Sequence, residues 1–257
     1  MLPAKFLEKL DKSIDPAVFS IKRPTTFRVN TLKIDCDEQA FILLAPLRQL
    51  QDLDIYKNGE IYVQSLSSMI PAAVLNPEPC YCVLDLCAAP GSKTSQMAAL
   101  MRNEGQIIAN DNSRIRIYKL EANLKNLGVT NTSIIQSQAQ TLWQKYPETF
   151  DKVLADVPCS MEGRFHTPDP KTYKDWSPKK VRQLAQLQQF ILRSAFGCCK
   201  PGGIIVYSTC TLNRQENEEV VEWLLKKEPG RVEVLSMERI NPSPVMEGFF
   251  VAKLRKV

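Results

Sequence analysis

From Cys82 to the end of the chain, short apolar runs alternate with amphipathic stretches, and few architectures accept that order. Residues 82–87 form an apolar run that enters a Pro-Gly turn, and a helix is predicted from Lys93 to about Met101. Residues 106–109 read as a second strand. Ile117, Leu120, Leu124 and Leu127 then recur at helical spacing, with Gly128 just past the end. Residues 132–136 and 153–155 are predicted as the third and fourth strands. After Pro178, the positions Val181, Leu184, Leu187, Ile191 and Leu192 give a long helix that Lys200-Pro201-Gly202-Gly203 breaks. Residues 204–208 make a fifth strand. Asn213, three residues before Glu216, reads as a capping box opening the next helix, which carries Lys226 and Lys227 late and stops at Pro229-Gly230. Residues 232–235 and 248–254 look like closing strands. Parallel strands need long crossovers, and the intervening helices supply them. The expected fold is therefore α/β, a mostly parallel seven-stranded sheet with helices on both faces.

The first 75 or so residues follow a different pattern. Residues 27–33 alternate like a strand, 37–50 look helical and 55–63 look extended. A small α+β subdomain over 1–76 is expected, joined at Asn76-Pro77-Glu78-Pro79 to the larger α/β domain over 77–257. No repeats or low-complexity segments interrupt either part.

Of the 257 residues 44% are hydrophobic, which is ordinary for a folded soluble chain. No apolar run reaches transmembrane length and the N-terminus lacks a signal-peptide pattern, so a cytoplasmic protein without a membrane partner is expected. The eight cysteines lack zinc spacing and His166 is the single histidine, which argues against a structural metal. Most of the cysteines are expected to be small buried apolar residues. Between Met161 and Lys200, eight Lys/Arg face three acids, an excess equal to the net charge of +5. Phe165, His166, Tyr173 and Trp176 are interleaved with Arg164, Lys171 and Lys174. Such a stretch suits phosphates and unstacked bases, and equally a solvated helix face plus a loop.

Asp85-Leu86-Cys87-Ala88-Ala89-Pro90-Gly91-Ser92-Lys93-Thr94 runs from a strand into a helix. Small residues let a ligand approach the backbone, and the helix start offers free N–H groups. Asp111 lies twenty residues past Gly91 at a strand end, where doubly wound folds bind ribose. Neither G-x-x-x-x-G-K-[ST] nor G-x-G-x-x-G is present. A nucleoside without phosphates fits better, and S-adenosylmethionine is such a ligand, its carboxylate suited to a helix N-terminus. Two further cysteines sit at predicted strand ends: Cys159 in Asp156-Val157-Pro158-Cys159-Ser160, and Cys210 in Tyr207-Ser208-Thr209-Cys210. Two thiols and a carboxylate beside such a pocket can add to a pyrimidine ring and methylate it.

These motifs, with Arg28-Val29-Asn30-Thr31-Leu32-Lys33, Glu216-Asn217-Glu218 and Gly248-Phe249-Phe250-Val251-Ala252, resemble the RNA cytosine-5 methyltransferases of the bacterial 16S rRNA type, a family that includes eukaryotic nucleolar and tRNA enzymes. The resemblance covers nearly the whole chain. It implies a Rossmann-like class I S-adenosylmethionine-dependent fold and an RNA-binding role for the N-terminal subdomain. It assigns cofactor contacts to Cys87, Ala88, Ala89, Pro90, Gly91, Ser92, Lys93, Asp111 and Asp156. Gln138 falls by spacing where the family usually has an acid, and Ser92 where it often has Gly. The resemblance makes Cys210 the nucleophile toward C6 of cytosine, Cys159 the helper in product release, and Asp156 and Lys93 their catalytic partners. Arg164, Phe165, His166, Lys171, Tyr173, Lys174 and Trp176 are the candidates for contacting RNA, the aromatic ones by stacking. It implies a monomer acting on rRNA, with tRNA as the alternative, and no further C-terminal RNA-binding domain after Phe250. A DNA cytosine-5 methyltransferase fits less well, because there the Pro-Cys thiol itself attacks. A non-catalytic RNA-binding or assembly factor is the alternative from another class.

Overall fold

The structure is a computed structural model that describes residues 1–36, 40–43 and 47–257. In chain order the regular elements begin with α1 (Ala4–Leu7), β1 (Thr26–Val29), β2 (Ala40–Ile42), α2 (Leu47–Asp52), α3 (Asp54–Lys57), β3 (Ile61–Val63) and α4 (Leu66–Leu75). The α/β alternation follows: β4 (Cys82–Asp85), α5 (Ser92–Leu100), β5 (Gln106–Asp111), α6 (Arg114–Asn126), β6 (Thr132–Gln136) and β7 (Phe150–Asp156). It closes with α7 (Pro178–Cys198), β8 (Cys199–Thr209), α8 (Glu218–Lys227), β9 (Val232–Ile240) and β10 (Phe249–Lys256).

The seven later strands form one sheet in the order β6-β5-β4-β7-β8-β10-β9, with β10 antiparallel to both its neighbours. Successive residues serve opposite faces, as the two-residue period of a strand demands. Leu84, Val153, Ile205 and Ala252 pack with Ile191 and Leu192 of α7 and Val220 and Leu224 of α8. Their neighbours Val83, Leu154, Val206 and Val251 pack with Ala72 and Leu75 of α4, Met97 of α5 and Met101 just past its end. Burial on both faces explains why these strands read as continuous apolar runs. The strand order reverses at β4, so the carboxyl ends of β4, β5, β7 and β8 open onto one crevice.

Several expectations change. Helix α4 packs against the large sheet through Ala72 and Leu75, although it lies before the junction expected at 76/77. The helix expected over 37–50 is instead strand β2 and helix α2, and residues 37–39 and 44–46 lie outside the described residues. The extended run over 55–63 is helix α3 followed by β3. Asn213 caps only the short 3-10 turn Arg214–Glu216, its Oδ1 accepting from the Gln215 N–H at 3.0 Å. Glu216 does not complete a capping box, because it is fully buried and spent on other partners.

The N-terminal part is two pieces. Strands β2-β1-β3 form an antiparallel sheet over Val29, Leu50 and Ile61. The segment before it packs Phe6, Ile14 and Phe19 onto Phe165, Tyr173 and Leu212 of the larger part. The motif beginning at Arg28 clamps the small sheet to the large domain. Arg28 Nη2 donates to Ser95 Oγ at 2.9 Å, Asn30 Nδ2 to the Leu127 carbonyl at 2.8 Å, and Lys33 Nζ to the Asn126 carbonyl at 2.7 Å. Among the described residues no helix is long and apolar enough to cross a membrane.

Candidate active site

The turn after β4 folds tightly because Gly91 adopts φ +105°, and a Cβ there would meet Leu120 Cδ1 at 2.9 Å. That turn brings Cys87, Ala88, Ala89, Pro90, Ser92 and Lys93 to a cavity of about 330 Å3. Asp85, Asp156, Arg164 and Cys210 line the same cavity. Lys93 is buried, and its Nζ lies 2.8 Å from Asp156 Oδ2 and donates to Ser68 Oγ at 2.8 Å. Ser208 Oγ donates to the other Asp156 oxygen at 2.8 Å. The register of β7 beside β8 places Asp156 opposite Ser208, which fixes this arrangement.

The two cysteine-bearing turns follow neighbouring strands, and their sulfur atoms are 3.2 Å apart. Cys210 faces the cavity, and Cys159 stands next to it without lining that wall. The Cys159 thiol is pushed well above its ordinary value, first by its hydrogen bond with Cys210 and then by burial. It keeps its proton near neutral pH.

A second cavity of about 260 Å3 adjoins the first across Cys87 and Arg116. Leu86, Ala139, Leu187 and Ile191 give it apolar walls, and Asp111 and Gln138 give it polar ones. Asp111 is buried; it accepts from the Ala89 N–H at 3.3 Å and the Ser113 N–H at 3.0 Å, and pairs with Arg116 at 3.1 Å. Of the expected cofactor residues, Gly91 alone shapes the turn without lining either cavity.

Sequence reasoning missed Asp85 and Arg116. Asp85 is buried, its Oδ2 accepts from Thr94 Oγ1 at 2.7 Å, and its Oδ1 has no partner among the described residues. Burial raises its carboxyl to about 7. The signal was present, since an acid ending an apolar strand rarely lies in a core without purpose.

Two of the aromatic stacking candidates, Phe165 and Tyr173, are corrected. Phe165 is fully buried and Tyr173 nearly so, with Phe165 packed edge-on to Phe6 at 4.9 Å between ring centroids. Trp176 is half-buried, and its Nε1 donates to Glu162 Oε1 at 2.9 Å. Phe165 and Tyr173 anchor the loop to the N-terminal segment and present no free face to a base, whereas Trp176 meets Phe6 edge-on at 6.0 Å between centroids. His166 is half-buried, and its Nε2 has no partner among the described residues. Lys171 and Lys174 are exposed, while Arg164 pairs with Glu247 at 3.2 Å at the mouth of the first cavity. Among the described residues no group of three or more His, Cys, Asp or Glu side chains could hold a metal ion.

Residues 72–255 match the family described as 16S rRNA methyltransferase RsmB/F. The chain belongs to this family. Among curated RsmB/F relatives, the ribosomal RNA small subunit methyltransferase F of Cronobacter sakazakii is 38% identical over 99% of this chain and 63% of its own length. The chain thus spans less than two thirds of the curated relatives it matches first. A methyltransferase homolog protein from Pyrococcus horikoshii is similar in structure, with a TM-score of 0.83 and 32% identity over 93% of this chain and 88% of that one. NSun6 from the same organism gives a TM-score of 0.74 and 33% identity over 85% of this chain and 59% of that one. The RsmB/F match begins inside α4, in agreement with the packing of that helix on the large sheet.

Proposed function

We propose that the protein transfers a methyl group from S-adenosylmethionine to C5 of a cytosine in RNA, with rRNA of the small subunit as the substrate. The observation that carries this reading is the thiol pair, 3.2 Å apart, with Cys210 facing a cavity that Lys93 and Asp156 share.

The residues present fit the cofactor. Asp85 Oδ1 is a buried acceptor without a donor, beside a cavity wall of small residues, and suits an ammonium group. The second cavity has apolar walls for a flat ring and the Gln138 amide for its polar edge. Asp85, the turn from Cys87 to Lys93, Asp111 and Gln138 would hold it. When bound, S-adenosylmethionine supplies an electrophilic methyl group on a sulfonium.

Cytosine C5 is a poor nucleophile. Addition of the Cys210 thiolate to C6 moves the double-bond pair to C5, which can then take the methyl. Lys93 lines the same cavity, its ammonium held by Asp156 and Ser68. Asp156, held by Lys93 and Ser208, is oriented to hydrogen-bond the base edge. After transfer solvent takes the C5 proton, the ring double bond re-forms and the C6–sulfur bond breaks. Cys159 retains its proton against Cys210 and can assist release by donating a hydrogen bond to the departing sulfur. The base must leave its stack to reach the cavity. Arg164 at the mouth is positioned to meet its phosphate.

The test is methyl incorporation into small-subunit RNA, followed by mapping of the modified position. Cys210→Ala should abolish transfer while cofactor binding persists. Cys159→Ala should leave an RNA–protein adduct stable in denaturing gels. Substantial turnover by Cys210→Ala would overturn the assignment.

A further inference from the structure

The Glu216-Asn217-Glu218 motif has no place in the chemistry above, yet its first two residues are fully buried between the thiol-bearing turns. Glu216 grips the turn that carries Cys159. Its Oε2 accepts from the Ser160 N–H at 2.9 Å and from Gln188 Nε2 at 2.8 Å, and its Oε1 accepts from Ser160 Oγ. Gln188 Nε2 also donates to the Pro158 carbonyl at 2.9 Å, so both residues flanking Cys159 are held. Asn217 grips the other turn in the same way. Its Oδ1 accepts from Thr209 Oγ1 at 2.5 Å and its Nδ2 donates to the Thr211 carbonyl at 3.1 Å, so both residues flanking Cys210 are held. One contact joins the two grips, Ser160 Oγ to Thr211 Oγ1 at 2.8 Å.

We infer that Glu216 and Asn217 are positioning residues that set the separation of the two thiols, Glu216 through the Cys159 turn and Asn217 through the Cys210 turn. The inference rests on the cysteine-adduct reading above. Two sulfur atoms on separate loops do not stay in contact by themselves, since each turn has rotamer and backbone freedom to lose. Adjacent residues on one buried turn remove that freedom for both at once. A carboxylate serves the Cys159 side because three donors converge on it, and a neutral amide serves the Cys210 side because it must accept on one flank and donate on the other. Neither residue lines the reaction cavity. A displacement of about 1 Å in such a pair costs on the order of 10- to 100-fold in rate.

Glu216→Gln keeps the shape but places an amide against converging donors. It should lower steady-state turnover about tenfold and accumulate the RNA–protein adduct seen with Cys159→Ala. Asn217→Asp keeps the acceptor for Thr209 but turns the donor to Thr211 into an acceptor. It should slow adduct formation without accumulation. Ser160→Ala, which keeps the backbone N–H, should accumulate adduct to a smaller extent. Cofactor affinity should match wild type in all three variants, and the melting transition of each, measured alongside, separates loss of fold from loss of positioning. Rapid-quench sampling on denaturing gels reads both steps. Turnover by Glu216→Gln within twofold of wild type and without adduct would overturn the inference. So would identical kinetic defects in Glu216→Gln and Asn217→Asp. If Cys159→Ala itself traps no adduct, the adduct reading fails instead.

Discussion

Replacing Phe165 by alanine separates a packing role from a base-stacking one. The ring is fully buried against Phe6 at 4.9 Å and Tyr173 at 5.8 Å between centroids, in a cluster that also holds Phe19 and Leu212. Removing a buried phenyl ring costs about 3–5 kcal/mol, from lost transfer energy and the cavity left behind. For a domain of this size that lowers the melting temperature by about 10 °C. Phe165→Leu, which keeps most of the volume, should cost about 1–2 kcal/mol. The Phe6–Phe165 edge contact should appear in a double-mutant cycle as about 0.5–1.5 kcal/mol of coupling. Urea unfolding measures the global cost. Hydrogen exchange over residues 1–20 shows whether the N-terminal segment detaches first. If Phe165→Ala unfolds within about 1 kcal/mol of wild type, with unchanged exchange and weakened RNA binding, the packing argument is wrong and the ring stacks on RNA.

The Asp85 carboxyl is raised to about 7 by burial, from an ordinary value of 3.8. Between those values the folded protein holds a proton the unfolded chain has lost, so stability falls as pH rises through the window and is level above it. Asp85→Asn mimics the protonated form and should gain about 2–3 kcal/mol on wild type between pH 5 and pH 7.5 in cofactor-free unfolding; a constant difference would refute the assignment. Gln138→Glu places a charged acceptor in the second cavity and should tighten S-adenosylmethionine binding about fivefold by calorimetry; weaker binding would remove Gln138 from that contact. Asn30→Ala leaves the buried Gly59 and Leu127 carbonyls without their donor and should cost about 2–4 kcal/mol. Limited proteolysis should then release the small sheet first, and wild-type resistance would show that the clamp lies elsewhere.

The chain's own order of apolar runs determined the seven-stranded sheet, because strand and helix periods are local and each parallel pair needs the helix between. It also determined the turn after β4 and the two cysteine turns, whose short motifs carry their geometry within a few residues. Tertiary structure decided everything that depends on which distant surface a side chain meets. Phe165 and Tyr173 lie among basic residues in the sequence and read as stacking rings, yet the N-terminal segment covers them. Helix α4 precedes the Asn76-Pro77 junction and still belongs to the large sheet, because Ala72 and Leu75 complete its face. Glu216 has the spacing of a capping residue, but three donors from Ser160 and Gln188 outbid the helix end once the fold brings them together. Local pattern states what a residue could satisfy; only the assembled chain decides which partner is near enough to satisfy it.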